Sequence, residues 1–354
     1  MSIFNDNYKE QVSLSESESI LVEKVLDSYK MGCAKLINTT PEIIGEQLNK
    51  KLGEKLFERM KISLSNREIS LLNQAVKVRY QSLNAARSSD LITADKLMEE
   101  ARIIGSYRQL SPEGNLLYKA FQEPAEAYLD YRRGDFDKAW LRISDALATD
   151  ALLETECGYK CLFAHRLHLI EILIRSEAKS TRKWRAMELA GQLLSYLQGT
   201  SESLPFPIAW GSELVANQPL EIISATFALV TGQIAIILAE EKCHQGRDLF
   251  AILDSYLTLQ VDNTLHPCSQ ALNWLRIKRA FLNNDMTDFL ELASQFLVVG
   301  RDSTPVLWYA TVVDTLELLR QTNFQNYHLV KQEIAKNAVN WEFFPKQFLL
   351  VLNS

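Results

Sequence analysis

The chain has 354 residues, 47% of them apolar and 23% charged, enough for a core of two to three domains or one extended repeat array. Its 13 glycines and 9 prolines are too few for the turns of a β-sandwich or a doubly wound sheet, and they exclude collagen-like and low-complexity sequence. A net charge of −6 argues against a general nucleic-acid binder, so no nucleic-acid partner is expected.

The first ten residues, M-S-I-F-N-D-N-Y-K-E, lack the apolar run of a secretory signal, and the five cysteines are odd in number. Both point to a cytoplasmic chain with free thiols. Helical segments are predicted over 17–37 and 41–61, the second opened by Thr40-Pro41-Glu42, an N-cap followed by a proline whose missing amide proton the first turn does not need. Ser65-Asn66-Arg67-Glu68 is a capping box, and behind it Ile69, Leu72, Val76, Tyr80 and Leu83 share one face of a helix over 66–87. Further helices are predicted over 91–104, 112–133 (after Ser111-Pro112), 136–148, 155–177 and 182–198.

A long connection from Gly199 to Gln218 follows, carrying L-P-F-P-I-A-W-G. It is expected to fold back as a plug through Leu204, Phe206, Ile208 and Trp210, with Phe206 and Trp210 as the contact residues if it serves a partner instead. Ile222 to Ala239 is eighteen residues without a charge, at the lower limit for a membrane span. Ser224, Thr226, Thr231 and Gln233 interrupt it, so it reads as a buried core helix within 219–241 and no membrane partner is expected. Helices over 245–260, 268–282, 286–299, 305–320 (after Thr304-Pro305), 325–338 and 345–352 complete the chain. No run alternates as strands do, so the class is all-α.

One segment repeats with variations. Ala125 to Asp150 places Tyr131 before Gly134-Asp135-Phe136, then Ala139, then Ala146. Gly134 permits the left-handed residue that closes a helix, Phe136 packs within the pair, and the two alanines let the second helix approach its neighbours. This unit resembles a tetratricopeptide repeat (TPR), with Asp130 standing where an aromatic is usual. Weaker copies carry Leu91, Ala94, Met98 and Ala101; Ala186 and Ala190; Gly246 and Ala251; and Asp285, Met286 and Ala293, the last copy with Phe289 where alanine is expected. The anchors at 94, 139, 186, 251 and 289 lie 45, 47, 65 and 38 apart, against about 34 in a strict TPR, and helix pairs of the HEAT type fit such spacings too. The resemblance implies a right-handed TPR-like α-solenoid of antiparallel helix pairs over 66–340, a helical N-terminal cap or arm over 1–65, and an apolar seal over 341–354 formed by Trp341, Phe343, Phe344 and Phe348. It further implies a non-enzymatic scaffold or regulator that holds a peptide in a concave groove.

In that register the groove carries Arg79, Arg87, Tyr128, Tyr131, Arg132, Arg175, Lys179, Trp274, Lys278 and Phe281, a cationic and aromatic set suited to an acidic protein or peptide partner. The basic stretch Arg175, Lys179, Arg182, Lys183 and Arg185 also reads as a solvated turn near a helix C-terminus. Phosphate-cradling glycine motifs, G-x-S-x-G and H-E-x-x-H are absent, and no cofactor is expected. Cys157, Cys161, His165 and His168, at offsets of four, four and three, share one stripe of the helix predicted over 155–177. They form the site of the alternative reading, a helical small-ligand or metal-binding protein that could be an enzyme, with Cys243-His244 and His266-Pro267-Cys268 as conceivable further donors. The plainer reading is a stripe packed against the neighbouring repeat. A peptide-sensing transcription regulator is the remaining alternative, although residues 1–65 hold no clear recognition helix. The oligomeric state is left open.

Overall fold

A computed structural model describes residues 14–38, 40–105, 110–241, 243–259 and 268–353. Sixteen helices and no strand occur among them: α1 (Glu16–Cys33), α2 (Pro41–Ser63), α3 (Asn66–Arg87), α4 (Leu91–Gly105), α5 (Pro112–Arg133), α6 (Phe136–Glu156), α7 (Leu162–Lys179), α8 (Lys183–Leu197), α9 (Ser212–Ala216), α10 (Leu220–Ala239), α11 (Cys243–Asp254), α12 (Ser269–Leu282), α13 (Met286–Val299), α14 (Pro305–Gln321), α15 (Tyr327–Ala338) and α16 (Lys346–Asn353). The all-α class follows. His266, one of the conceivable metal donors, lies outside the described residues.

Two boundaries differ from expectation for physical reasons. The buried stripe of Ala139, Ile143, Ala146 and Leu147 continues through Asp150 and Leu153, so α6 runs two turns beyond residue 148. Cys157 closes it, Gly158 turns the chain at φ +75°, and α7 begins only at Leu162. Within the long connection the short α9 was not anticipated.

The chain divides into two compact units, Glu42–Val230 with Ala251–Thr258, and Met1–Pro41 with Thr231–Phe250 and Leu259–Ser354. α1 falls in the unit of the C-terminal helices and nearly all of α2 in the unit of the helices that follow it.

In the first unit successive helices pack on one another, α3 on α4 and α5 through α8 in series. Gly134 adopts φ +82° and closes α5, its N–H donating to the Tyr131 carbonyl at 3.0 Å. Tyr131 meets Phe136 edge-on at 5.9 Å, and the anchors Ala94, Ala139, Ala146, Ala186 and Ala190 are all buried. Ala251 is exposed, so the Gly246/Ala251 copy does not use its alanine as an anchor. Asp130, buried where an aromatic was expected, accepts from Arg142 Nε of α6 at 2.8 Å and pairs with Lys138 at 3.3 Å. Arg142 also reaches Glu123 and Glu126, and Glu126 reaches Arg102 of α4. A charge network thus joins α4, α5 and α6 in place of an aromatic contact.

The face of α3 is corrected. Val76 and Tyr80 are exposed, while Leu72, Ala75, Val78, Arg79, Ser82 and Ala86 are buried. The small residues let α4 approach, and Ser82 Oγ donates to the Ala94 carbonyl at 2.7 Å.

In the second unit α1 packs on α13. Gly32 lies against the Leu297 carbonyl, Lys35 Nζ donates to the Val298 carbonyl at 2.8 Å, and Tyr29 stacks on Trp308 at 5.6 Å. Trp341 and Phe344 close on Tyr309, and Phe348 is fully buried, while Phe343 is partly exposed. Among the described residues α10 alone is long and apolar enough to cross a membrane, with mean hydropathy 2.1 over its best window, and 61% of that window is buried within the protein, as in a core helix.

Candidate functional site

In the first unit, five of the groove residues predicted from the sequence come together on α3, α5 and α7. Tyr128 and Tyr131 lie one turn apart on α5 and stack at 6.1 Å. The Arg132 guanidinium sits over the Tyr128 ring at 5.9 Å and donates to the Tyr128 hydroxyl at 3.2 Å, to the Arg87 carbonyl at 3.4 Å and to Ser89 Oγ at 3.0 Å. Arg132 therefore closes the C-terminus of α3, where a cation also favours the helix dipole. The Arg87 side chain itself is exposed and donates to Asn84 at 2.8 Å.

Arg175 arrives from α7. Burial and the neighbouring Tyr128 raise the Tyr131 hydroxyl above its ordinary value, and Arg175 and Arg132 both oppose that rise. Arg175 is half exposed and pairs with Glu171 at 2.6 Å, and Glu171 also accepts from His168 Nδ1 at 3.1 Å. Burial would raise the Glu171 carboxyl, but His168 and Arg175 outweigh it and hold it below the usual range. Lys179 is exposed one turn beyond Arg175.

The remaining groove residues lie elsewhere. Arg79 is only 7% exposed and faces a cavity lined by α2, α3 and α5, not the tyrosine pair. Trp274, Lys278 and Phe281 belong to the second unit. Trp274 is fully buried, because its position on α12 faces the interior. Lys278 and Phe281 line a cavity of about 630 Å³. There Lys278 Nζ lies over Phe281 at 4.9 Å and pairs with the buried Asp314 at 2.7 Å.

The loop residues fold back. Phe206 is buried and stacks on Trp140 at 6.2 Å. Trp210 lies under the Arg166 guanidinium at 3.9 Å, edge-on to Tyr196 at 5.5 Å. Arg166 also donates to the Ala209 carbonyl at 2.6 Å and to Glu154 at 2.9 Å, so a buried cation ties the loop to α6 and α7. Burial pushes the Glu154 carboxyl up to about 7, with Arg166 opposing it and Asp150 adding to it. The loop is the expected plug.

The Cys/His stripe is corrected, because its segment is not one helix. Cys157 caps α6, Cys161 precedes α7, and only His165 and His168 share a helix. His165 pairs with the buried Asp150 at 2.7 Å and His168 with Glu171. Burial raises both thiols, the opposite of what a thiolate ligand needs. Among the described residues no group of three or more His, Cys, Asp or Glu is arranged to hold a metal. The basic stretch resolves similarly: Arg182 donates to the buried Glu177 at 2.8 Å and to Asp137 at 2.6 Å, and Arg185 covers the Trp140 ring at 3.9 Å.

Sequence reading missed the roles of Ser89 and Arg142. Ser89, at φ 67° just past α3, gives Arg132 its acceptor and carries no helical periodicity to reveal it. Arg142 had a visible signal, three acids at 123, 126 and 130 on one face of α5 opposite a lone arginine on α6. Comparison with protein-family models, curated proteins and solved structures finds no match for this chain.

Proposed function

We propose that the chain is a non-enzymatic binding protein of right-handed TPR-like architecture whose α3–α5–α7 face takes an acidic peptide segment. Arg132, Arg175 and the outlying Arg87 and Lys179 receive carboxylates, and the stacked Tyr128 and Tyr131 offer their outer edges to an apolar side chain. The reading rests on one observation: the stacked Tyr128–Tyr131 pair carries the Arg132 guanidinium over its Tyr128 ring, a cation and aromatic surface on one face of α5. Cations held half exposed beside aromatic rings are a recurring means of recognising carboxylates. Paired neighbours do not cancel this role, since Arg132 uses neutral acceptors and Glu171 is shared between Arg175 and His168.

The test is selection from a displayed random-peptide library, followed by anisotropy with a labelled selected peptide. Acidic segments should be enriched, and the double variant Arg132→Gln, Arg175→Gln should bind them roughly tenfold or more weakly. The melting temperature should move by only a few degrees, because Arg132 gives up only neutral acceptors and the buried Glu171 keeps His168 when Arg175 is removed. Enrichment without acidic character, or undiminished binding by the folded double variant, would remove this face from consideration.

A further inference from the structure

Three of the described cations are buried, and two of them are matched. Arg166 is held by Glu154 and the Ala209 carbonyl, and Lys278 by Asp314. Arg79 on α3 is the exception. It is 7% exposed, it lies 5.9 Å from the centre of the Phe121 ring, and among the described residues no carboxylate or carbonyl accepts from it. A guanidinium carries five donors and gains only part of what it loses in water from an aromatic face. Burial lowers its pKa to about 10, so it is still a cation at neutral pH.

The space before Arg79 is a cavity of about 310 Å³ within the first unit. Leu56 and Phe57 of α2, Leu72 and Val76 of α3, and Leu117 of α5 supply its apolar walls. Phe57 and Val76 are 38% and 48% exposed, so part of this apolar surface is open to water at the rim. Two deficits thus share one site: a cation without acceptors and apolar walls without cover. The volume is at the lower end for small-molecule pockets, about 300 Å³. A single guanidinium in an apolar setting suits a monoanion, because a dianion would need further donors to replace its hydration.

We propose that this cavity binds a medium-chain monocarboxylate, its anion on Arg79 and its unbranched tail along Phe57, Leu72 and Leu117. The site is separate from the tyrosine–arginine face and stands or falls independently of the peptide reading. The carboxylate supplies the two acceptors that the guanidinium fork lacks, and the tail covers the rim.

The experiment uses the full chain and decanoate below its micellar concentration, with 1-decanol as the uncharged analogue, in calorimetric titration and thermal melts. Wild type should bind decanoate saturably and melt higher as decanoate is added. Decanol should bind roughly tenfold or more weakly, since a hydrogen bond to a charged partner is lost. Arg79→Met should lose roughly tenfold or more of the decanoate affinity, yet melt at or above the wild-type temperature without ligand, because an uncompensated buried charge has been removed. Val76→Trp, which fills the rim from an exposed position, should also lose binding while keeping its fold. No saturable binding by wild type, equal binding of decanol, a lower melting temperature for ligand-free Arg79→Met, or undiminished binding by either variant would overturn the proposal.

Discussion

Glu68 does more than its place in a capping box implies. Its carboxylate accepts from the Ser65 amide at 3.0 Å, closing the box of α3, and from the amide of Ser111, the N-cap of α5, at 2.7 Å. Two helix N-termini therefore converge on one anion, the favourable sign for both dipoles. Hydrogen bonds from Ser111, then Ser65, bring its carboxyl from 4.5 down to about 2. The folded value lies below the unfolded one, so the stabilisation is present above about pH 4.5 and is lost as pH falls toward 2. Glu68→Gln should cost about 1 kcal/mol at pH 7, and the difference from wild type should shrink steadily on acidification below pH 4.5, as read by urea unfolding at several pH values. A pH-independent difference would mean that charge is not what Glu68 contributes. The box itself was legible as Ser65 followed by Glu68; the second helix on the same carboxylate was not, because Ser111 lies 43 residues away.

At the scale of elements, the fold depends on where backbones come closest. Gly32 of α1 sits against the Leu297 carbonyl of α13, which also accepts from Trp308 Nε1 at 3.0 Å. A methyl group at position 32 would overlap that carbonyl and lie 3.2 Å from the indole nitrogen. Backbone cannot step aside as a flexible side chain does, so Gly32→Ala should destabilise by about 1–3 kcal/mol, seen as a lower melting temperature. An unchanged melt would show that α1 docks more loosely than its contacts describe. Helix existence and most boundaries were readable from caps and periodicity, as at Ser111-Pro112 and Gly134. The start of α7 was not. Thr155 to Cys161 holds only Glu156 and Lys160 as strong helix formers, and the break comes from Gly158 adopting φ +75° after α6 has used its full buried stripe.

Across the whole molecule the charge is −6, so a cationic face on α3, α5 and α7 is a local reversal of the average field. A peptide that binds there should gain from short-range contacts that salt weakens. Its affinity should fall as ionic strength rises and the screening length shrinks from about 10 Å at 0.1 M to about 3 Å at 1 M. Anisotropy across a salt series measures this, and a flat or rising affinity would assign binding to the apolar and aromatic contacts alone.

Composition, capping signals and helical periodicity determined by themselves that this chain is all-α and that Ala125 to Asp150 folds as a tight helix pair. These properties are set by residues within a few turns of one another, where 3.6-residue geometry leaves little choice. Tertiary structure alone decided which polar side chains face water. Arg79, Arg132 and Lys278 all sit on helices at positions that one register would expose together. Only the packing of α2 and α5 buries Arg79 in a cavity, only the end of α3 holds Arg132 at the surface, and only α14 brings Asp314 to Lys278. The physical reason is that burial of a charge depends on which distant helix supplies its partner, a contact that a periodic pattern along one helix does not encode.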